Sequence, residues 1–180
     1  MKPRIVYVHG NQTTHWSQAW AAWLKRELQN HGYPVFFETF PDSVAARAEY
    51  WLAFLKEHIC VGEKDVLVGW SSGAVAAMRY AEMRTILGSV LVAPCSTHLN
   101  NELEQQSGYY AKPWAWNRIR ANQNHIAMIY GGNDPFIPQA EFDTIGRQLQ
   151  ARRIFVRNGG HFLEQERFPE LLAYLLETYS

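Results

Sequence analysis

The sequence predicts an α/β fold in which helices cover both faces of one parallel sheet of six strands. Two observations carry this prediction. Six short apolar runs rich in β-branched residues alternate with longer amphipathic segments, and most of the runs stop at glycine or proline. The chain has 180 residues, enough for one large core and short for two, so a single domain over residues 1–180 is expected. No internal repeat, low-complexity tract or linker interrupts it.

The first strand is predicted at residues 4–8, where a β-branched run stops at His9-Gly10. A helix is expected next, because large apolar side chains recur at steps of three and four residues. These side chains are Trp16, Trp20, Trp23, Leu24 and Leu28. Thr13 or Thr14 is expected to cap this helix, and His31-Gly32 to end it.

The other five strands are predicted at residues 35–37, 66–68, 90–93, 126–130 and 154–156. After the second strand, Pro41-Asp42-Ser43 is typical of a helix start. The apolar stripe of that helix comprises Trp51, Leu52, Leu55 and Ile59. Later helices are expected directly after Ser71, at residues 138–149 and at residues 169–179. Residues 96–122 show no strand pattern, and so long a connection is usually functional, so we expect it near the site.

The third strand runs into Gly69-Trp70-Ser71-Ser72-Gly73, and an Ala-rich helical segment follows at once. A serine at such a junction lies on a sharp turn that lifts its hydroxyl out of the sheet, and glycines on either side leave room for the close approach of strand and helix. The N–H of Ser72 would then face the same point from a helix N-terminus, ready for an oxyanion. Gly-x-Ser-x-Gly also occurs by chance, so the strand–helix context is what predicts a nucleophile at Ser71.

Partners for this serine are expected after later strands, because sites in open α/β sheets lie beyond the carboxyl ends of the strands. Asp134 follows the fifth strand and His161 the sixth, which is the Ser…Asp…His order of α/β-hydrolases. Among the seven histidines, His161 alone follows a strand after Asp134. Taken singly, Asp134 also fits a turn before proline, and His161 an ordinary loop histidine. Glu141 and Asp143 lie within the next helix and are expected to face solvent.

A second oxyanion donor is expected from the loop after the first strand. The backbone N–H of Asn11 is the first candidate and that of Gln12 the second, although the loop also fits a plain strand-to-helix turn. Four aromatic side chains are candidates for the wall of a substrate pocket: Trp70, Tyr109, Trp114 and Trp116. The three in the 96–122 connection fit equally well as anchors of that loop in the core.

Composition excludes several classes of function. Lys+Arg and Asp+Glu are both 17, so no net field attracts the chain to nucleic acid or to an anionic membrane surface. Residues 5–8 are too short for the apolar core of a signal peptide, and no stretch reaches the length of a membrane span, so a cytoplasmic location without membrane insertion is expected. Cys60 and Cys95 have no metal-ligand spacing and are expected to be reduced thiols, with a disulfide between them as the less favoured alternative. We expect no metal and no cofactor.

The sequence resembles the small serine hydrolases of the retinoblastoma-binding protein 9 family and their bacterial relatives over most of its length. The resemblance is carried by PDSVAAR at 41–47, SSGAVAAMRYAE at 71–82, SGYY at 107–110 with PWAW at 113–116, DPFIP at 134–138 and GHF at 160–162. It implies a compact, reduced α/β-hydrolase fold with strand order 2-1-3-4-5-6. It also implies a catalytic triad of Ser71, Asp134 and His161.

The chain departs from this family at three places. The family often has histidine before the nucleophile, where this chain has Trp70, and the loop after the first strand looks shorter. The Leu-x-Cys-x-Glu motif of the human member is not reproduced, because His58 and Gly62 flank Cys60 here. Binding of the retinoblastoma protein is therefore not expected.

These observations favour a serine hydrolase that forms an acyl-enzyme on Ser71 and cleaves a small ester, with an amide or peptide bond as the alternative substrate. His161 would act as general base and then general acid, Asp134 would orient it, and the partner would be a small-molecule acyl substrate. The competing hypothesis is a binding module that keeps this scaffold and recognises a protein through the aromatic residues 109–116. The sequence leaves the natural substrate and the oligomeric state open.

Overall fold

The computed structural model describes residues 1–180, and its centre is a six-stranded, all-parallel sheet in the order β2-β1-β3-β4-β5-β6. The strands are β1 (Arg4–Val8), β2 (Val35–Phe37), β3 (Asp65–Trp70), β4 (Gly88–Val92), β5 (His125–Gly131) and β6 (Arg152–Val156). The six predicted strands, and the strand order that the resemblance implies, are confirmed. Most of the strands start or end a residue or two outside the predicted ranges.

Helices cover the sheet on both faces. They are α1 (Ala21–Asn30), α2 (Ala48–Ala53) with a π-helical continuation (Phe54–His58), α3 (Ser72–Met83), α4 (Glu102–Gln106), α5 (Trp116–Ala121), α6 (Gln139–Leu149) and α7 (Pro169–Thr178). The chain moves one way across the sheet from β1 to β2 and the other way afterwards, so right-handed crossovers place α1 on the face opposite α2, α3, α5 and α6. The helix contacts agree, because α1 packs on α7 whereas α3 packs on α2 and α5.

The predicted start of α1 is wrong. The helix begins at Ala21, because Ala19 has a φ of 51° and interrupts the helical backbone. Trp16 precedes the helix, and its N–H donates to Oγ1 of Thr39 at 3.0 Å. Thr13 does not cap α1, since its hydroxyl donates to the carbonyl of Gly10 at 2.8 Å, and the N-terminus of α1 has no side-chain cap.

The predicted start of α2 is also wrong, because residues 41–45 form turns and the helix begins at Ala48. The carboxylate of Asp42 accepts hydrogen bonds from the N–H and the guanidinium of Arg47, at 3.1 and 2.8 Å, and so closes a turn instead of capping a helix. The carbonyls of Ser43 and Val44 accept from the loop after β1. Tertiary hydrogen bonds therefore override a local helix signal.

The central helix α3 is buried along most of its length, from Ser72 to Ala81. Its alanines and Gly73 allow it to lie close to the strands beneath it. The parallel register aligns the strand ends, with Val8 beside Gly69, Val92 beside Ile129 and Gly131 beside Val156. The loops that follow these strands consequently meet at one edge of the sheet. Across the structure, every helix is either too short or too polar to cross a membrane.

Candidate active site

Ser71 lies between β3 and α3 in a strained backbone conformation, with φ 55° and ψ −120°. A non-glycine residue in this region costs about 1–3 kcal/mol and persists only where the surroundings enforce it. The enforcing contact is the close approach of strand and helix. A Cβ on Gly69 would lie 2.6 Å from Cα of Ala74, and one on Gly73 would overlap the carbonyl oxygens of Val8 and His9. The strained turn directs the Ser71 side chain into a cavity at the strand ends.

The structure brings Ser71, His161 and Asp134 into one hydrogen-bonded row. Nδ1 of His161 lies 2.8 Å from Oδ2 of Asp134, and Nε2 lies 3.0 Å from Oγ of Ser71. A carboxylate can only accept, so Nδ1 carries the proton and Nε2 is free to accept from the serine hydroxyl. The other carboxylate oxygen of Asp134 accepts from the N–H groups of Phe136 and Ile137, at 2.9 and 3.0 Å. The Asp134 side chain is 1% exposed, so this carboxylate is fixed and shielded from water.

The loop that carries His161 is held at several points. The indole N–H of Trp70 donates to the carbonyl of His161 at 2.9 Å, and the side chain of Asn133 accepts from Gly160 N–H at 3.0 Å. The loop also packs directly on the end of β5, where a Cβ on Gly131 would overlap the backbone of Gly160. Trp70, the residue directly before Ser71, therefore anchors the loop that carries His161.

The backbone N–H groups of Ser72 and Asn11, the predicted oxyanion donors, have no acceptor within the chain. The N–H of Ser72 is in the first turn of α3, where helical N–H groups are unpaired, and the N–H of Asn11 is in the loop after β1. The N–H of Gln12 is occupied, because it donates to the carbonyl of Val44 at 3.0 Å. Of the two candidates in this loop, the geometry favours Asn11 as an oxyanion donor.

The side chain of His9 supports the loop after β1. It is buried, its Nε2 accepts from the N–H of Phe40 at 2.8 Å, and its Nδ1 lies 2.7 Å from the carbonyl of Gly10. Burial lowers the pKa of His9 below the ordinary histidine value, since the charged imidazolium would lose its water, and the contact with the Gly10 carbonyl offsets this only in part. A neutral ring is also what the hydrogen bond from Phe40 requires.

The cavity beside Ser71 has a volume of about 400 Å³. Both polar and apolar residues line it: Gly10, Asn11, Gln12, Thr13, Gln18, Trp70, Ser71, Cys95, Leu99, Asn101, Glu104, Phe136, Ile137, His161 and Leu163. Phe136 and Leu163 are largely exposed, and the ring of Phe136 meets that of His161 edge-on at 5.0 Å between centroids. Trp70, one of the four predicted pocket residues, is part of this lining.

The other three predicted pocket residues do not line this cavity. Tyr109 is 1% exposed and belongs to the core. Trp114 packs on the guanidinium of Arg79 at 3.6 Å and donates from its indole N–H to the carbonyl of Ser96. Trp116 stacks on Trp114 at 5.5 Å. These rings anchor the 96–122 connection, because buried Arg79 also binds the carbonyls of Tyr109 and Lys112 and draws that segment onto α3.

Two acidic residues have contacts that the sequence analysis missed. Glu104, in the 96–122 connection, binds Asn11, Ser72 and Tyr110 through its carboxylate. Glu141 is not directed to solvent as predicted, since it accepts from the backbone and hydroxyl of Ser96. No periodicity marks either residue, because both act across long sequence separations.

Cys95 lines the cavity close to the site, yet burial raises the pKa of its thiol to about 12. It therefore stays protonated and does not compete with Ser71 as a nucleophile. No three His, Cys, Asp or Glu side chains lie together in an arrangement that could bind a metal ion.

The strand order and the strained serine turn define the α/β-hydrolase class. A family model described as serine hydrolase matches residues 5–176, and the chain belongs to this family. It is 35% identical to serine hydrolase RBBP9 of Rattus norvegicus over 164 residues, which cover 91% of this chain and 86% of that protein. It is 26% identical over 176 residues to YdeN of Bacillus subtilis, covering 95% and 92%. The crystal structure of the B. subtilis ydeN gene product superposes with a TM-score of 0.86 at 23% identity, covering 97% of each chain.

Proposed function

We propose that this serine hydrolase cleaves a small carboxylic ester through an acyl-enzyme on Ser71. The observation that carries the proposal is the continuous row from Asp134 through His161 to Ser71, with hydrogen bonds of 2.8 and 3.0 Å. An unassisted serine hydroxyl is a poor nucleophile, and this row supplies a base within reach of its proton and a carboxylate to orient that base.

In the first half of the reaction, Ser71 Oγ attacks the carbonyl carbon of the ester while Nε2 of His161 takes its proton. The carbonyl oxygen becomes an oxyanion, which the N–H groups of Asn11 and Ser72 stabilise. The imidazolium is stabilised by Asp134, and it gives its proton to the alkoxy oxygen as the C–O bond to the alcohol breaks. An acyl group remains on Ser71 and the alcohol leaves.

Water repeats these steps in the second half. His161 takes a proton from water, whose oxygen attacks the acyl carbon, and the same two N–H groups stabilise the second oxyanion. The bond to Ser71 Oγ then breaks, His161 returns the proton to the serine, and the carboxylic acid is released. The enzyme is regenerated without any cofactor.

The cavity supports a substrate of modest size. A volume of about 400 Å³ lies near the lower end of small-molecule sites and holds a short acyl group with its alcohol. Phe136 and Leu163 present apolar, exposed surface beside His161, which is where the leaving alcohol takes up its proton. An ester is favoured over an amide because its alkoxide leaves more readily, so a site of this kind cleaves esters first.

The test is covalent labelling of Ser71 together with turnover of short-chain 4-nitrophenyl esters. We expect a fluorophosphonate probe to label Ser71, and Ser71→Ala or His161→Ala to lower kcat by about 10⁴-fold or more. Turnover that survives Ser71→Ala, with no labelling of Ser71, would refute the proposal. Comparing kcat/KM for these esters with kcat/KM for anilides that carry the same acyl groups measures the preference for an ester over an amide.

The binding-module hypothesis receives less support from the 109–116 segment than its aromatic content suggests. Trp114 is held against Arg79 and the carbonyl of Ser96, so its side chain is engaged within the chain itself. A stoichiometric protein partner released by Trp116→Ala, together with an unreactive Ser71, would favour that hypothesis.

A further inference from the structure

Glu104 lies at the centre of a hydrogen-bond cluster that joins the 96–122 connection to both proposed oxyanion donors. Its Oε1 accepts from Nδ2 of Asn11 at 2.9 Å and from Oγ of Ser72 at 3.0 Å. A single carboxylate oxygen therefore binds the side chains of Asn11 and Ser72, the two proposed oxyanion donors, whose backbone N–H groups are unpaired.

The rest of the cluster fixes the position of that oxygen. The hydroxyl of Tyr110 donates to Oε2 of Glu104 at 3.1 Å, and the thiol of Cys95 lies 3.0 Å from the same hydroxyl. At the start of α4, the side chain of Asn101 accepts from the N–H of Glu104 at 3.2 Å. Glu104 is thus held at both carboxylate oxygens and at its backbone.

The charge of Glu104 does not explain its place here. A carboxylate beside an oxyanion hole opposes the negative charge that develops in the transition state. Its hydrogen bonds give a better explanation. Oxyanion donors must lie about 2.7–3.1 Å from the developing charge, and here they belong to two separate elements, the loop after β1 and the start of α3. A shared acceptor holds these two elements in register.

We propose that Glu104 is a positioning residue that sets the spacing between the N–H groups of Asn11 and Ser72. The inference rests on the proposed function, since it concerns the stabilisation of an oxyanion formed on attack by Ser71. Glu104 acts through the other two residues and does not touch the reacting atoms. The 96–122 connection would thus contribute to catalysis through Glu104, whereas its aromatic side chains only anchor it.

The first experiment compares Glu104→Ala with Glu104→Gln on 4-nitrophenyl butyrate, with active sites counted by complete fluorophosphonate labelling. We expect Glu104→Ala to lower kcat about 10- to 100-fold with KM changed by less than about threefold, because displaced donors weaken transition-state binding more than substrate binding. Glu104→Gln should restore most of kcat, since its one carbonyl oxygen can accept from both Asn11 and Ser72. Glu102→Ala, at an exposed position of the same short helix, is the matched control and should keep full activity.

The second experiment is a mutant cycle with Asn11→Ala and Ser72→Ala, both of which keep their backbone N–H groups. The double variant should lower kcat by about the same factor as Glu104→Ala, and adding Glu104→Ala to it should cost little more. If Glu104→Ala proves too unstable to assay, the double variant and Glu104→Gln still test the proposal.

Three outcomes separate the hypotheses. An unchanged kcat in Glu104→Ala or in the Asn11/Ser72 double variant, with wild-type turnover dependent on Ser71, overturns the positioning role alone. A Glu104→Gln variant as impaired as Glu104→Ala also overturns it, because the shared acceptor would not be what matters. Wild-type protein that neither labels at Ser71 nor turns over esters overturns the proposed function itself.

Discussion

At the scale of single residues, Trp70 links Ser71, the proposed nucleophile, to His161, the proposed base. It follows Gly69 at the end of β3, donates its indole N–H to the carbonyl of His161, and packs against Trp20 at 5.6 Å between ring centroids. The position of His161 thus depends on a hydrogen bond made by the residue beside Ser71.

Replacing Trp70 by phenylalanine keeps most of the apolar contact and removes that hydrogen bond. We expect kcat to fall by about 3- to 30-fold, because the His161 loop gains freedom and Nε2 spends less time aligned with Ser71. Steady-state kinetics with active-site titration measures this. Trp114→Phe deletes a comparable indole hydrogen bond outside the cavity and should leave kcat near wild type. Equal effects of the two substitutions would count against a positioning role for Trp70.

His9 predicts a pH dependence of folding stability. Burial lowers its pKa in the folded state, whereas in the unfolded chain the value is near the ordinary 6.5 or so. As pH falls through that range the unfolded state binds a proton that the folded state does not, so the free energy of unfolding decreases towards acid pH. The contribution reaches at most about 1.4 kcal/mol per pH unit.

Urea unfolding between pH 7.5 and 5 tests this expectation with His9→Gln, whose side-chain carbonyl can still accept from Phe40. The variant should lose less stability per pH unit than wild type, whatever its stability at pH 7.5. Identical slopes for His9→Gln and wild type would contradict the assignment.

At the scale of elements, the junction of β3 with α3 requires glycine for steric reasons. The free energy of unfolding of glycine variants measures how strict this requirement is. Gly73 packs on the backbone of Val8, at the end of β1, and of His9 directly after it, where no Cβ fits. The strain at Ser71 persists because this contact pins the first turn of α3 to the sheet.

Gly73→Ala is expected to destabilise the protein by about 3 kcal/mol or more, or to prevent folding, because backbone atoms rather than a flexible side chain must move. Gly62→Ala is the control, since a Cβ there meets nothing within 4 Å and the free energy of unfolding should change by less than about 0.5 kcal/mol. Denaturant titrations give both values. A Gly73→Ala variant within 1 kcal/mol or so of wild type would show that α3 can shift away from the sheet.

At the scale of the whole molecule, charge is balanced overall but not inside the cavity. Lys+Arg equal Asp+Glu at 17 each, yet Glu104 lines the cavity and no lysine or arginine does. The Glu104 carboxylate therefore disfavours an anionic group on a substrate in the cavity, although the protein as a whole carries no net formal charge.

This asymmetry predicts discrimination against anionic acyl groups. We expect mono-4-nitrophenyl succinate to have a kcat/KM about 10-fold or more below that of 4-nitrophenyl butyrate, which has an acyl group of the same length without the charge. The difference in kcat/KM between the two esters should be smaller in Glu104→Gln than in wild type. Added salt should also reduce this difference in wild type. Equal turnover of both esters by wild-type protein would show that the carboxylate is screened from the substrate.

The sequence alone determined the six strands, the strand–helix turn at Ser71 and the order of Ser71, Asp134 and His161, because these depend on local periodicity and on the rule that parallel strands end at one edge. It did not determine the starts of α1 and α2. Near α1 the N–H of Trp16 donates to the hydroxyl oxygen of Thr39, and near α2 the carboxylate of Asp42 accepts from Arg47, so neither group takes part in the helix start that local signals predict. Only the tertiary structure decided that Tyr109, Trp114 and Trp116 are anchors and that Trp70 holds His161. It also decided that Glu104 joins Asn11 and Ser72, the two residues proposed as oxyanion donors. The bond between Glu104 and Asn11 spans 93 residues, and contacts so distant leave no pattern in the sequence between them.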